Sequence, residues 1–197
     1  MEFRLTYSGQ LQPIGNKPRP EHVHAIRREF HKQLKNLWQV EPYLRSAIHS
    51  EKMTGRVVPN IKLEDYLATQ YQQFGFNFLP LVTKKLRLLC SVDVLFLRPE
   101  PPGDLVQSGD LDGRIKTLFD ALSMPQQKEQ IHKTPPIEGE SPFYCLLEDD
   151  KLISRVSVET DTMHEKISTQ INKFDARLVV RVSLKPFDMG WDNINFS

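Results

Sequence analysis

The sequence predicts an α+β protein built as a single domain. Three observations carry this. Apolar residues alternate near both ends of the chain, in FRLTYSG and ARLVVRVSLKPF; other stretches space them by three and four; and 197 residues suffice for one substantial core but are short for two independent domains. Hydrophobic residues make up 39% and charged residues 26%, an ordinary balance for a folded chain, and the 14 prolines are scattered through loops.

The elements follow in order. FRLTYSG reads as a strand, and the turn-rich QLQPIGNKPRP after it as a loop carrying Lys17 and Arg19. In PEHVHAIRREFHKQLKNLW, Val23, Ile26, Phe30, Leu34 and Leu37 recur at helical spacing, with Pro20 suited to a first turn. The outer surface of this helix is expected to carry Arg27, Arg28, Lys32 and Lys35. The core of the domain is read as residues 1–38 and 81–187, with an insertion at about 39–80 that includes a possible helix at LEDYLATQYQQF.

KKLRLLCSVDVLFLRPEPPGD predicts a long central strand closed by prolines, with Asp93 inside it as a structural carboxylate. The polar SMPQQKEQIHKTPPIEGESP, within about 123–142, predicts a flexible loop. FYCLLEDDKLISRVSVET is an apolar run broken by Glu148, Asp149 and Asp150; TMHEKISTQINKF could form a short helix; ARLVVRVSLKPF is a final strand; and MGWDNINFS reads as loosely structured.

Composition excludes several classes. The longest apolar run, LRLLCSVDVLFL, is charged and far short of the roughly 20 residues of a membrane-spanning helix. MEFRLTYSGQ has no apolar signal region, so the expected location is the cytoplasm, with no membrane association. Cys90 and Cys145 lie in apolar strand-like runs, where buried reduced thiols are expected. His22, His24 and His31 form no zinc pattern, and no P-loop, G-x-S-x-G or G-x-G-x-x-G occurs, so no nucleotide cofactor is expected. Residues 1–60 hold ten lysines and arginines against five acidic residues, whereas 61–160 hold eleven against fifteen. A basic surface and a separate acidic pocket fit that asymmetry, and Lys17, Arg19, Arg27 and Arg28 are the candidates for contacts to a nucleic-acid backbone.

The chemistry concentrates in GDLDGRIKTLFDAL, residues 109–122. Ile115, Leu118, Phe119 and Leu122 specify an amphipathic helix starting near Asp112. If the approach to it is extended, Asp110 and Asp112 point to one side, and Lys116 returns to the flank of Asp112 one turn on. Two readings compete. Aspartate is a good N-cap, worth about 1 kcal/mol, and Asp120 could simply pair with Lys116 on an exposed helix face. Alternatively, D-x-D and the distant pair Asp149 and Asp150 supply the carboxylates a hard divalent cation takes from separate parts of a chain. Such an ion neutralises a phosphodiester and activates water, and a neighbouring lysine can hold the phosphate.

The order D-x-D-x-x-x-K, an apolar helix ending in D-A-L, then D-D in LLEDDKLISRVSV, resembles the RusA-type Holliday junction resolvases, chiefly over residues 105–160. The resemblance implies a mixed central sheet flanked by helices and a homodimer that cuts branched DNA using Mg²⁺ or Mn²⁺. By position, Asp110, Asp112 and Asp150 correspond to the family's metal-binding carboxylates, Lys116 to its essential lysine, and Asp149 to the acidic position beside them. Gly113 stands where the family usually has an asparagine. The function expected is a structure-specific endonuclease of recombination or repair. The alternatives are a flap, fork or general nuclease of the same fold, and a non-catalytic nucleic-acid-binding or interaction protein whose acidic residues are helix caps.

Overall fold

The computed structural model describes residues 1–14, 19–49, 61–99, 110–131, 135–164, 172–190 and 193–196, with Asp110 described by its backbone alone. In chain order the first half holds β1 (Glu2–Gln10), α1 (Pro20–Val40), α2 (Pro42–Ser46), β2 (Ile48–His49), β3 (Ile61–Lys62), α3 (Leu63–Gln70), β4 (Gln72–Gln73) and β5 (Phe76–Val82). The second half holds β6 (Leu88–Arg98), α4 (Asp110–Leu122), β7 (Phe143–Leu147), β8 (Ile153–Thr162) and β9 (Asp175–Pro186). Lys17 and most of TMHEKISTQINKF lie outside the described residues.

The chain is α+β, with a mixed four-stranded sheet in the order β1-β9-β6-β8. β9 runs antiparallel to both β1 and β6, while β8 joins β6 in parallel. Alternation decides which face is buried. Along β6, Cys90, Val92, Val94 and Phe96 point into the core while Ser91, Asp93 and Leu95 point outward; along β9, Leu178, Val180, Val182 and Leu184 do the same inward work. α1 adds Val23, Ile26, Phe30, Leu34 and Trp38, one stripe at helical spacing, and α4 adds Leu118, Ala121 and Leu122.

β5 and β7 pair in parallel and read differently, β7 as a continuous apolar run and β5 as one broken only at Asn77, because both of their faces are covered. Leu79, Leu81, Val82, Tyr144, Leu146 and Leu147 face the main core, while Phe76, Phe78, Phe143 and Cys145 close on Met124 and Ile131 in a second cluster. The described parts of the stretch 39–80 pack into the domain itself. Leu44, Ala47, Leu63 and Leu67 are buried in the main core, and β5 begins inside the stretch at Phe76. The helix expected at LEDYLATQYQQF is α3, tied to β7 by a hydrogen bond from the Tyr144 hydroxyl to Glu64.

Two further segments hold more structure than their polarity suggested. Within 123–142, Lys128–Ile131 forms a 3-10 turn that buries Ile131, and Glu140 accepts two hydrogen bonds from Arg28, at 2.6 and 3.1 Å. In the tail, Phe196 is fully buried and its carbonyl accepts from the Met1 ammonium at 2.7 Å, so the two ends of the chain meet. Cys90 and Cys145 are buried free thiols. Among the described residues no helix is long and apolar enough to cross a membrane.

His24 links this packing to pH. It is buried, stacked on Phe143, and its Nδ1 lies 3.2 Å from Arg27 Nη1, which can only donate, so the imidazole proton sits on Nε2. Burial, helped by the charges of Arg27 and Arg28 and opposed by Glu140, pushes its pKa from 6.5 down to about 4. The unfolded chain takes up this proton below 6.5 and the folded chain does not until about 4, so the stabilising contribution is complete above 6.5 and is lost as pH falls toward 4. Burial lowers His31 and His22 in the same sense. Urea-unfolding free energies are expected to decline across that window, and His24→Gln, an acceptor that does not titrate, should flatten part of the decline. An identical slope in the variant would place the acid sensitivity elsewhere.

Candidate functional site

α4 is held at a defined rotation by its buried side. Arg114, 1% exposed, donates to the carbonyls of Leu11 at 2.8 Å, Phe174 at 3.1 Å and Asp175 at 3.2 Å, and its guanidinium lies 4.6 Å from the centre of the Phe96 ring. Thr117 donates to the carbonyl of Gln12 at 2.7 Å. The loop after β1 packs on the same side so closely that a Cβ at Gly113 would stand 2.9 Å from Pro13 Cβ, and Ile14 N–H donates to the Gly113 carbonyl at 3.2 Å. A glycine is therefore required where the resemblance leads one to expect asparagine. Gly113→Asn is expected to destabilise by about 1–3 kcal/mol through overpacking, measured by chemical denaturation; an unchanged midpoint would mean that the loop yields freely.

With that side fixed, Lys116 faces outward across a cavity of about 220 Å³ toward the turn that follows β7. Its Nζ lies 2.6 Å from Asp150 Oδ2 and 2.9 Å from Asp120 Oδ1, so one ammonium joins carboxylates from two separate parts of the chain. Asp150 opens a 3-10 turn, Asp150–Leu152, whose preceding residue Asp149 caps it by accepting from Lys151 N–H at 3.0 Å. Burial works against the Lys116 charge, but the hydrogen bonds to Asp150 and Asp120 outweigh it and raise its pKa. Reciprocally, Lys116 outweighs the effect of burial and holds the Asp150 carboxyl below its ordinary value. Asp149, Lys151, Gln126 and Gln130 complete the rim.

Arg27 forms the floor and is not the surface cation that helical spacing suggested. It is 2% exposed and donates to the carbonyls of Asp120 at 2.7 Å, Ser123 at 2.9 Å and Gln130 at 3.4 Å. The last carbonyls of α4 lack partners inside the helix, and a buried guanidinium supplies them while complementing the negative end of the helix dipole. Arg28 is engaged by Glu140, leaving Arg19, exposed at the start of α1, as the described loop cation of the expected backbone-binding set.

The aspartates divide. Asp150 and Asp149 border the cavity; Asp112 is exposed on α4, about 6 Å along the axis from Lys116, and does not line it. α4 already includes Asp110, so the extended approach expected across Asp110 and Asp112 is absent, and a helical backbone sets those two positions about 200° apart around the axis. Asp120, read from sequence as an ordinary partner of Lys116, makes that ion pair and also shares the lysine with Asp150. Its i, i+4 spacing was the available signal; its meeting with Asp150 had none. Asp93 pairs with Arg155 at 2.7 Å on the outer face of the sheet, away from this group.

The donors around the cavity are hard oxygens, suited to Mg²⁺ or Mn²⁺ rather than to a soft metal. Among the described residues, however, no three His, Cys, Asp or Glu side chains form a group able to hold a metal, and the Lys116 ammonium joins Asp120 and Asp150. The donor type fits the ion the motif implies, whereas the donor number among these side chains falls short of it. No protein family matches the chain, and neither a curated protein nor a solved structure does.

Proposed function

We propose that this chain is a divalent-metal-dependent endonuclease that hydrolyses phosphodiester bonds in branched DNA, in the manner of the RusA-type resolvases its central motif resembles. The observation that carries the reading is the meeting of Asp120 and Asp150 at Lys116, in an open cavity beside Asp149. Asp150 would hold the ion with Asp149; of the D-x-D pair, Asp110 and Asp112, which the helix sets about 200° apart, one carboxylate at most would join them. When bound, Mg²⁺ or Mn²⁺ supplies charge neutralisation at the phosphate and an activated water. Lys116, half-exposed and fully charged, holds a phosphate oxygen once a cation has relieved it of Asp150. Arg19, just before α1, and Lys17 would contact the DNA backbone, and two copies related by symmetry would suit a junction with equivalent strands to cut.

The test is cleavage of a four-way junction and a matched linear duplex, side by side, with and without Mg²⁺. Junction cutting that needs the metal and is lost in Asp150→Asn is the expected result. Equal cutting of both substrates would replace the resolvase reading with a general nuclease. The second reading, a non-catalytic nucleic-acid-binding or interaction protein, is favoured by the Lys116 ammonium, which already engages Asp120 and Asp150 in ion pairs; binding without cutting under any metal would establish it.

A further inference from the structure

β8 ends the central sheet, and β6 is its strand neighbour among the described residues. Exposed sheet edges are normally blunted by charged side chains, above all lysine, by proline, by shortness or by a covering element; the charged residues of β8, Arg155, Glu159 and Asp161, all lie on one face. β8 has ten residues, ISRVSVETDT, with neither lysine nor proline, and it exposes side chains on both faces, Val156 to 44%.

In a parallel pair, alternate residues turn both N–H and C=O toward the partner strand. Met163 N–H, just past the strand, donates to the Arg98 carbonyl at 2.7 Å, which places the odd positions of β8 toward β6. Ser154, Val156, Val158 and Thr160 therefore turn their main-chain groups away from β6, to a side with no strand neighbour among the described residues.

We propose that this edge is an interface between two copies of this chain: β8 pairs antiparallel with β8 of a second copy, about a two-fold axis at Ser157. In that register Val156 opposes Val158 of the second copy as a hydrogen-bonded pair. Arg155 opposes Glu159 of the second copy as a non-hydrogen-bonded pair, where side chains approach most closely. Each contact occurs twice. Shifting by one residue would set outward groups against inward ones. Shifting by two sets Arg155 opposite Ser157 in one direction and opposite Asp161 in the other, so the Arg155 to Glu159 match belongs to this register alone. Arg155 already bonds Asp93 on its own face, and Glu159 makes no ion pair with the described residues, so Arg155 would sit between two carboxylates. Such an axis stands perpendicular to the sheet, so the two sheets join into one and both helical layers lie on the same side.

The interface rests on strand geometry and charge, independent of the nuclease reading. Its test is sedimentation equilibrium of the full chain, without metal or DNA, from about 1 to about 100 μM. A reversible dimer is expected. Glu159→Arg should weaken it at least about tenfold by setting arginine against arginine twice, and the exchange Arg155→Glu with Glu159→Arg should restore it to within a few-fold of wild type. Amide hydrogen exchange gives a reading that needs no variant: Val156 and Val158 should be protected in the dimer and exchange freely on dilution. A wild type that stays monomeric, a Glu159→Arg variant that dimerises as before, or unprotected Val156 and Val158 amides in a dimer would each overturn the proposal.

Discussion

Arg27→Met is expected to lower the melting temperature by about 5–15 °C without changing the net arrangement of exposed charge around the cavity. The substitution keeps an unbranched apolar stem but removes the donors that satisfy Asp120, Ser123 and Gln130 carbonyls in a buried setting. Hydrogen bonds to a charged group contribute about 1.5–3 kcal/mol each, and carbonyls left dry and unpaired add a penalty. Relief from desolvating the guanidinium offsets part of this, so a net loss of about 2–4 kcal/mol is the reasonable scale. Arg27→Lys should recover little, because one ammonium cannot span carbonyls that a planar fork reaches together. Differential scanning calorimetry decides it; a melting temperature within about 2 °C of wild type would show that water satisfies these carbonyls equally well.

Lys116→Ala should show the opposite division, with metal-dependent cutting reduced by about 10²–10³-fold and stability nearly unchanged. Lys116 is about half exposed, and solvent screens its ion pairs to Asp120 and Asp150 to well under 1 kcal/mol in total effect on folding. On the proposed nuclease reading its contribution to chemistry is larger, because charge developing on a phosphate needs a positioned donor at that point. Lys116→Arg should fall between, retaining charge but moving it. The measurement is single-turnover cleavage of a junction substrate alongside a thermal melt. A variant that cuts as fast as wild type would remove Lys116 from the site, and a variant that unfolds would show that the lysine serves the fold. Arg27 and Lys116 line one cavity, and burial alone divides their roles.

Much of this architecture is legible in the chain because it depends on local periodicity. The stripe of α1, the alternation of β6 and β9, and the apolar run of β7 each repeat a burial pattern that one element imposes on its own residues, whereas in β5 Asn77 interrupts the run and Pro80 hides the strand. Polarity misled where a few apolar residues were decisive. Ile131 and Met124 anchor a stretch rich in Gln, Lys and Glu, and Phe196 draws the C-terminal segment into the core. Arg27 misled for a related reason: arginine at an amphipathic boundary reads as surface, and its burial depends on where α4 happens to end.

The site divides along the same line. The chain by itself determined α4, its lysine, the Lys116 and Asp120 spacing, and an acidic turn closing β7, since each is set by residues within a few positions of one another. Only the tertiary structure decided that Asp150 meets Lys116, that the first turn of α4 already includes Asp110, and that Pro13 leaves no room for a side chain at position 113. Those facts depend on how Arg114 and Thr117 rotate the helix against β1 and β9, through contacts between residues roughly 60 to 100 positions apart. Spacing along a chain carries no record of such a rotation, because the backbone carbonyls that fix it are the same in every residue.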